Sequence, residues 1–109
     1  MIEAVIGSKV REAVLIYLVG RETGYAREIS AYYQYSLSSV QNQLDKLESG
    51  NVIAGVQSGR TRVYSLNPRY PFFKELKDLF MKVISFLPEE ERRQLLLARK
   101  RPRRKHKPL

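Results

Sequence analysis

At 109 residues and 12.7 kDa the chain has room for one domain around a single modest core, which excludes a large two-domain enzyme. Lys and Arg number 20 against 11 Asp and Glu, a net charge of +9, and the 43% hydrophobic fraction is ordinary for a chain that folds, so the first partner suggested is a polyanion. With no cysteine, a disulfide scaffold, a Cys-based zinc site and a Cys nucleophile are excluded together, and the redox compartment is left open.

In chain order, Ser8 caps a first helix in which Val10, Ala13, Val14, Tyr17 and Leu18 recur at steps of three and four, and Gly20 is expected to end it. A polar link, Arg21 to Gly24, leads to a short helix from about Ala26 to Tyr33 with Ala26, Ile29 and Tyr33 on one side. Ser36 then caps a third helix whose Leu37, Val40, Leu44 and Leu47 form one inward stripe, and Gly50-Asn51 stops it. From Val52 to Leu66 the period becomes that of strands, with a tip at Ser58-Gly59-Arg60 and a return through Arg62 to Leu66, which predicts a β-hairpin. After the break at Asn67 to Pro71, a long helix is predicted to Leu87, with Phe72, Phe73, Leu76, Leu79, Phe80, Val83 and Ile84 on a broad apolar face. Pro88 opens a further helix to about Lys100, acidic at its start and basic at its end, as suits the helix dipole. Residues 101–109 are charged and broken by proline, so disorder is expected there, and there is no internal repeat.

The chain has one histidine, His106, so neither a metal site nor a cofactor is expected. No apolar run approaches the roughly 20 residues of a membrane helix, and Met1-Ile2-Glu3 has no basic region ahead of its apolar residues, so the expected location is the cytoplasm. No general base, partnered nucleophile or glycine-rich phosphate loop supports an enzyme, and Glu22 and Glu28 read as surface carboxylates.

Helix, short helix, tight turn, third helix and a hairpin with a basic tip is the order of a winged helix-turn-helix. The expected fold is therefore α+β, a three-helix core plus a β-hairpin wing, with a long C-terminal helix extension. Its divisions are a DNA-binding domain over 1–67, C-terminal helices over 68–100 that serve dimerisation, and a basic tail over 101–109. The run "SLSSVQNQLDKLESGNVI", from Ser36 to Ile53, resembles bacterial and archaeal winged-helix regulators of the arsenic-repressor (ArsR-like) type, and the likeness covers roughly Ser8 to Leu87. Through "RVYSLNPRYPFFKELKDLF" the chain is also similar to winged-helix proteins found beside minimal nucleotidyltransferases, whose catalytic domain it lacks. Two departures from the family habit are Gln34, at a turn position usually held by Gly, and Asn51, where Gly usually follows the recognition helix.

The resemblance implies a cytoplasmic, nucleoid-associated regulator that binds double-stranded DNA as a homodimer, most simply as a repressor. On the outer face of the third helix, small polar side chains suit entry into the major groove, and Gln41 and Asn42 are the candidates for reading bases. Ser38, Ser39 and Lys46 flank them; Asp45 would repel phosphate unless it accepts from a cytosine amino group. At the tip, Arg60, Thr61 and Arg62 are candidates for the minor groove or the backbone, with both arginines pointing the same way, and Lys9, Arg11 and Arg27 are looser candidates. The seven-residue aromatic and aliphatic face, Phe72 to Ile84, is the expected dimer interface, placing two recognition helices about one DNA turn apart. Metal sensing, common in that family, is not expected where Cys and His are missing from the structured positions.

Arg99, Lys100, Arg101, Arg103, Arg104, Lys105 and Lys107 supply seven positive charges without an acid, which suits contact with a nucleic-acid backbone by counterion release. Subtracting them leaves 13 basic and 11 acidic residues in 1–98, a net of only +2, so the charge argument speaks mainly about the tail. An unidentified effector or protein partner stays open. The competing reading is a protein-interaction or antitoxin-like adaptor that keeps the winged-helix shape and uses its Phe-rich helix for hetero-oligomerisation.

Overall fold

The computed structural model describes residues 1–96, which form an α+β fold: a short helix α1 (Glu3–Ile6), then α2 (Lys9–Arg21), α3 (Ala26–Tyr33), α4 (Leu37–Ser49), a hairpin of β1 (Ile53–Ser58) and β2 (Thr61–Leu66), and α5 (Phe73–Ser85). A last helix, α6, runs from 89 through 96 among the described residues. The basic tail from Arg99 to Lys107 lies outside them. No described helix is long and apolar enough to cross a membrane.

Ser8 starts α2 as its spacing predicts, its hydroxyl accepting the Arg11 N–H at 3.1 Å. The apolar stripe read from the sequence is too narrow, because every residue from Glu12 to Gly20 is buried and Leu15, Ile16 and Val19 are as enclosed as Val14 and Tyr17. The reason is topological: α1, α3, α4, α5 and β2 all pack around α2, which leaves its middle, from Glu12 to Gly20, no solvent side. Gly20 does not end this helix. A Cβ there would stand 3.1 Å from Leu95 Cβ and 3.4 Å from Ile84 Cδ1, so glycine lets α2 approach α5 and α6 closely. The chain turns one residue past the helix instead, where Glu22 takes φ 77°. The buried carboxylate of Glu12 accepts from the Ile2 N–H at 2.9 Å and from the Met1 ammonium at 3.1 Å, which holds α1, unforeseen from the sequence, against α2.

Gln34 closes α3 in the left-handed conformation (φ 60°), so the residue standing in place of glycine adopts the backbone that glycine would. Ser30 secures that turn: its carbonyl accepts from the Tyr35 N–H at 3.2 Å and its hydroxyl donates to the Tyr35 carbonyl at 2.6 Å. After α4 the left-handed residue is Asn51 (φ 64°), whereas Gly50 keeps φ −87°. Val40, Leu44 and Leu47 point into the core as expected; Leu37 does not, and remains 38% exposed in the first turn.

The hairpin pairs Ile53 with Leu66 through Ser58 with Thr61 across a two-residue turn, Gly59-Arg60, with Gly59 at φ 61°. The free edge of β2 is extended by Gly24, which exchanges two backbone hydrogen bonds with Tyr64 at 3.0 and 2.8 Å. A Cβ on Gly24 would lie 2.8 Å from the Tyr17 ring, so that bridge needs glycine.

One buried cluster draws Val14 to Val19, Ile29, the α4 stripe, Ile53, Tyr64 and Leu66 together with Phe80, Val83 and Ile84 of α5 and Leu95 of α6. It therefore takes residues from both sides of position 67. Three of the seven side chains assigned to a dimer face, Phe80, Val83 and Ile84, are consumed by the chain's own core and cannot be offered to a partner; Phe73 and Leu76 are half-buried beside them.

Candidate nucleic-acid interface

Because α4 turns Val40, Leu44 and Leu47 inward, its opposite side carries Ser38, Ser39, Asn42, Asp45 and Lys46 into solvent, with Gln41 half-buried at the edge. Ser38, Ser39, Gln41, Asn42 and Asp45 line one shallow, open depression. Its upper end is organised by the cap, where the Ser36 hydroxyl accepts from the Ser39 N–H at 3.2 Å and donates to the Ser39 hydroxyl at 2.7 Å.

The two amides expected to read bases differ in their surroundings. The Gln41 Nε2 group donates to Asp45 Oδ1 at 2.9 Å and to the Tyr64 hydroxyl at 3.1 Å, spanning from α4 to β2. Asn42 is exposed, and its side chain makes no hydrogen bond among the described residues. Bidentate pairing with a base edge needs a free donor and a free acceptor on one amide, which Asn42 offers and Gln41 does not unless its Nε2 group releases one of its two partners. Asp45 thereby has a structural task, holding Gln41.

The hairpin arginines also separate. Arg60 lies exposed in the turn. Arg62 folds back across β1, where the absent side chain of Gly55 makes room: a Cβ there would fall 2.6 Å from Arg62 Nε. Its guanidinium forms an ion pair with Glu48 at the end of α4, with Nε 3.3 Å from Oε1, and stands 6.0 Å from the Tyr64 ring centroid. The Glu48 carboxylate raises the guanidinium's already high pKa, so Arg62 stays charged. Both arginines are exposed, but Arg60 stands in the turn while Arg62 ties hairpin to helix. Thr61 pairs with Ser58 beside the turn.

Lys9 and Arg27 are exposed, whereas Arg11 is internal wiring: its Nε donates to Gln43 Oε1 at 2.9 Å and its Nη1 to the Ile6 carbonyl at 3.2 Å, linking α2 with α4 and α1. Among the described residues no group of three or more His, Cys, Asp and Glu is arranged to hold a metal ion.

Along α5 and at its two ends, Phe72 and Leu79 are 61% and 39% exposed and Phe86 is 66% exposed. Phe86 was not among the expected interface residues, although its step of seven from Leu79, itself seven from Phe72, is readable in the sequence. The Glu48–Arg62 and Gln41–Tyr64 contacts had no such signal, because they join residues brought together only when the hairpin folds over α4. Compared with models of known families, with curated proteins and with solved structures, the chain matches none of them.

Proposed function

We propose that this chain is a winged helix-turn-helix regulator that binds double-stranded DNA sequence-specifically as a homodimer, with α3 and α4 as the helix-turn-helix and the β1–β2 hairpin as the wing. The observation that carries the reading is the outer face of α4: Ser38, Ser39, Asn42 and Lys46 are exposed together on a helix whose other side is locked into the core. A face this slim and polar suits a major groove about 12 Å wide, and the Gln41–Tyr64 and Arg62–Glu48 contacts hold the wing at a set angle beside it. In this reading Asn42 reads a base edge, Ser38, Ser39 and Lys46 contact the backbone or neighbouring bases, Arg60 and Thr61 reach the adjoining backbone or minor groove, and the tail adds counterion release.

The dimer rests on a different stripe from the one first expected. Phe72, Leu79 and Phe86 recur at sevens with half-buried Leu76 between them, the repeat of a helix-pairing seam. In a two-fold antiparallel α5 pair centred on Leu79, Glu75 and the partner's Lys82 fall on the same edge within about 1.5 Å of each other along the axis, given a rise of about 1.5 Å per residue. The seam is therefore self-complementary in charge as well as apolar. Those exposed phenylalanines also favour the second reading, an adaptor that docks another protein.

Selection of bound duplexes from fragmented genomic DNA with the full chain separates the two readings. Enrichment of a two-fold symmetric motif, lost in Asn42→Ala, is the expected result; no enrichment of any sequence favours the adaptor.

A further inference from the structure

A glutamine amide carries two N–H donors on its nitrogen and an acceptor on its oxygen. In Gln41 the nitrogen is turned toward two acceptors of the protein itself, Asp45 Oδ1 at 2.9 Å and the Tyr64 hydroxyl at 3.1 Å. Tyr64 is buried on β2, and its backbone is held by two hydrogen bonds to Gly24, so its phenol is a fixed point beside α4. Asp45 stands one helical turn from Gln41, the spacing at which a glutamine and a carboxylate pair along a helix surface. A carboxylate can only accept, so Asp45 also decides which way round the amide sits. Turned over, the Gln41 carbonyl would meet an anionic oxygen with no hydrogen between them.

The amide atom left without a partner among the described residues is therefore Oε1, and Gln41 lines the open depression on α4 beside Ser38, Ser39 and Asn42. An amide held in this way receives a hydrogen bond and gives none outward. In the major groove cytosine N4 and adenine N6 offer amino hydrogens, whereas guanine offers O6 and N7 and thymine offers O4, all acceptors. We propose that Gln41 is an acceptor-only reader that selects a base with an exocyclic amino group, cytosine or adenine, a role that rests on the DNA-binding reading above. Guanine or thymine at that place sets acceptor against acceptor and leaves both unpaired, which weakens binding by about fivefold or more. Asn42, whose amide has no such ties, keeps a donor and an acceptor for the N6 and N7 edge of a neighbouring adenine. Asp45 is a positioning residue: it keeps Gln41 from pairing as Asn42 does.

The test is selection from randomised duplexes with the full chain and two variants, read as base preference at each position. In Gln41→Ala one position should lose its choice of cytosine or adenine while the rest of the motif stands, which identifies the base that Gln41 reads. Asp45→Ala, at an exposed position, frees one Nε2 hydrogen, so the amide can take the whole adenine edge. Adenine should then exceed cytosine at that same position by about fivefold or more, a change that mere loss of stability would not produce. In the free parent chain, NMR should show the Gln41 Nε2 protons exchanging with water more slowly than those of Asn42, a readout that needs neither variant nor DNA. The proposal is overturned if guanine or thymine is preferred at the Gln41 position, if Asp45→Ala keeps the parent's ratio of cytosine to adenine, or if the two amides exchange equally fast. A motif that Gln41→Ala leaves unchanged overturns this proposal alone, whereas a parent chain that enriches no motif overturns the DNA-binding reading and this one with it.

Discussion

Tyr33 shows how much of this protein's chemistry is set by where single side chains end up. Its ring meets Tyr17 and Tyr32 edge-on and stacks on Tyr35, and its buried hydroxyl has no hydrogen-bond partner among the described residues. Burial holds the Tyr33 and Tyr17 phenols well above the ordinary tyrosine value, despite the Arg21 guanidinium that donates to Tyr17 at 2.6 Å. Because the folded value lies above the unfolded one, this stabilisation is complete below about pH 10 and is lost as pH rises beyond it. Alkaline unfolding should therefore coincide with phenolate absorbance. Tyr33→Phe, which removes an unpaired buried hydroxyl, should leave stability equal or raise it by about 1 kcal/mol, and should move the alkaline midpoint upward. On the proposed DNA face, Asn42→Ala should cost about 1–3 kcal/mol against the preferred duplex and little against random DNA. Lys46→Ala should weaken both alike and lower the salt slope by about one; anisotropy titrations at several salt concentrations distinguish the two behaviours.

Among the elements, the hairpin and α4 act as one piece because Arg62 crosses Gly55 to reach Glu48 while Tyr64 meets Gln41. Exposed ion pairs contribute less than about 1 kcal/mol, so this contact matters for orientation more than for stability. Gly55→Ala pushes the guanidinium from its place with little expected change in thermal midpoint, since the displaced atoms end a flexible side chain. If the freed Arg62 then finds a phosphate, the salt slope of DNA binding should steepen by about one, the opposite of Lys46→Ala. α5 and the residues that flank it divide their apolar side chains between two uses, with Phe80, Val83 and Ile84 in the core and Phe72, Leu79 and Phe86 outside it. Leu79→Glu would set two carboxylates against each other on the proposed dimer axis, so light scattering should report a monomer with unchanged helicity. A dimer that persists in that variant would remove the α5 seam.

For the whole molecule, the charge distribution separates two kinds of affinity. Of the net +9, seven charges lie between Arg99 and Lys107, and residues 1–98 are nearly neutral. Removing residues 99–109 should weaken DNA binding and flatten its salt dependence, by up to about six in slope if every charge meets a phosphate, while leaving base preference unchanged. A truncated chain with altered base preference would instead give the tail a part in reading sequence.

The sequence by itself determined the elements from α2 onward and their order, though not the short α1. Ser8 and Ser36 cap helices through their own side chains, the three-and-four spacing of Val40, Leu44 and Leu47 selects one face of α4, and Gly59 permits the tight hairpin turn. Each of these is an interaction within a few residues, which is why it is legible along the chain. Tertiary structure decided the rest: that α2 is enclosed from Glu12 to Gly20, that Gly20 is a packing residue and not a stop, that Leu37 is left outside, that the Gln41 and Arg62 side chains are engaged by Tyr64 and Glu48, and that three of the seven side chains of the expected α5 face belong to the core. Spacing tells which residues share a face of an element. Only the packing of one element against another tells which face is covered, and by what.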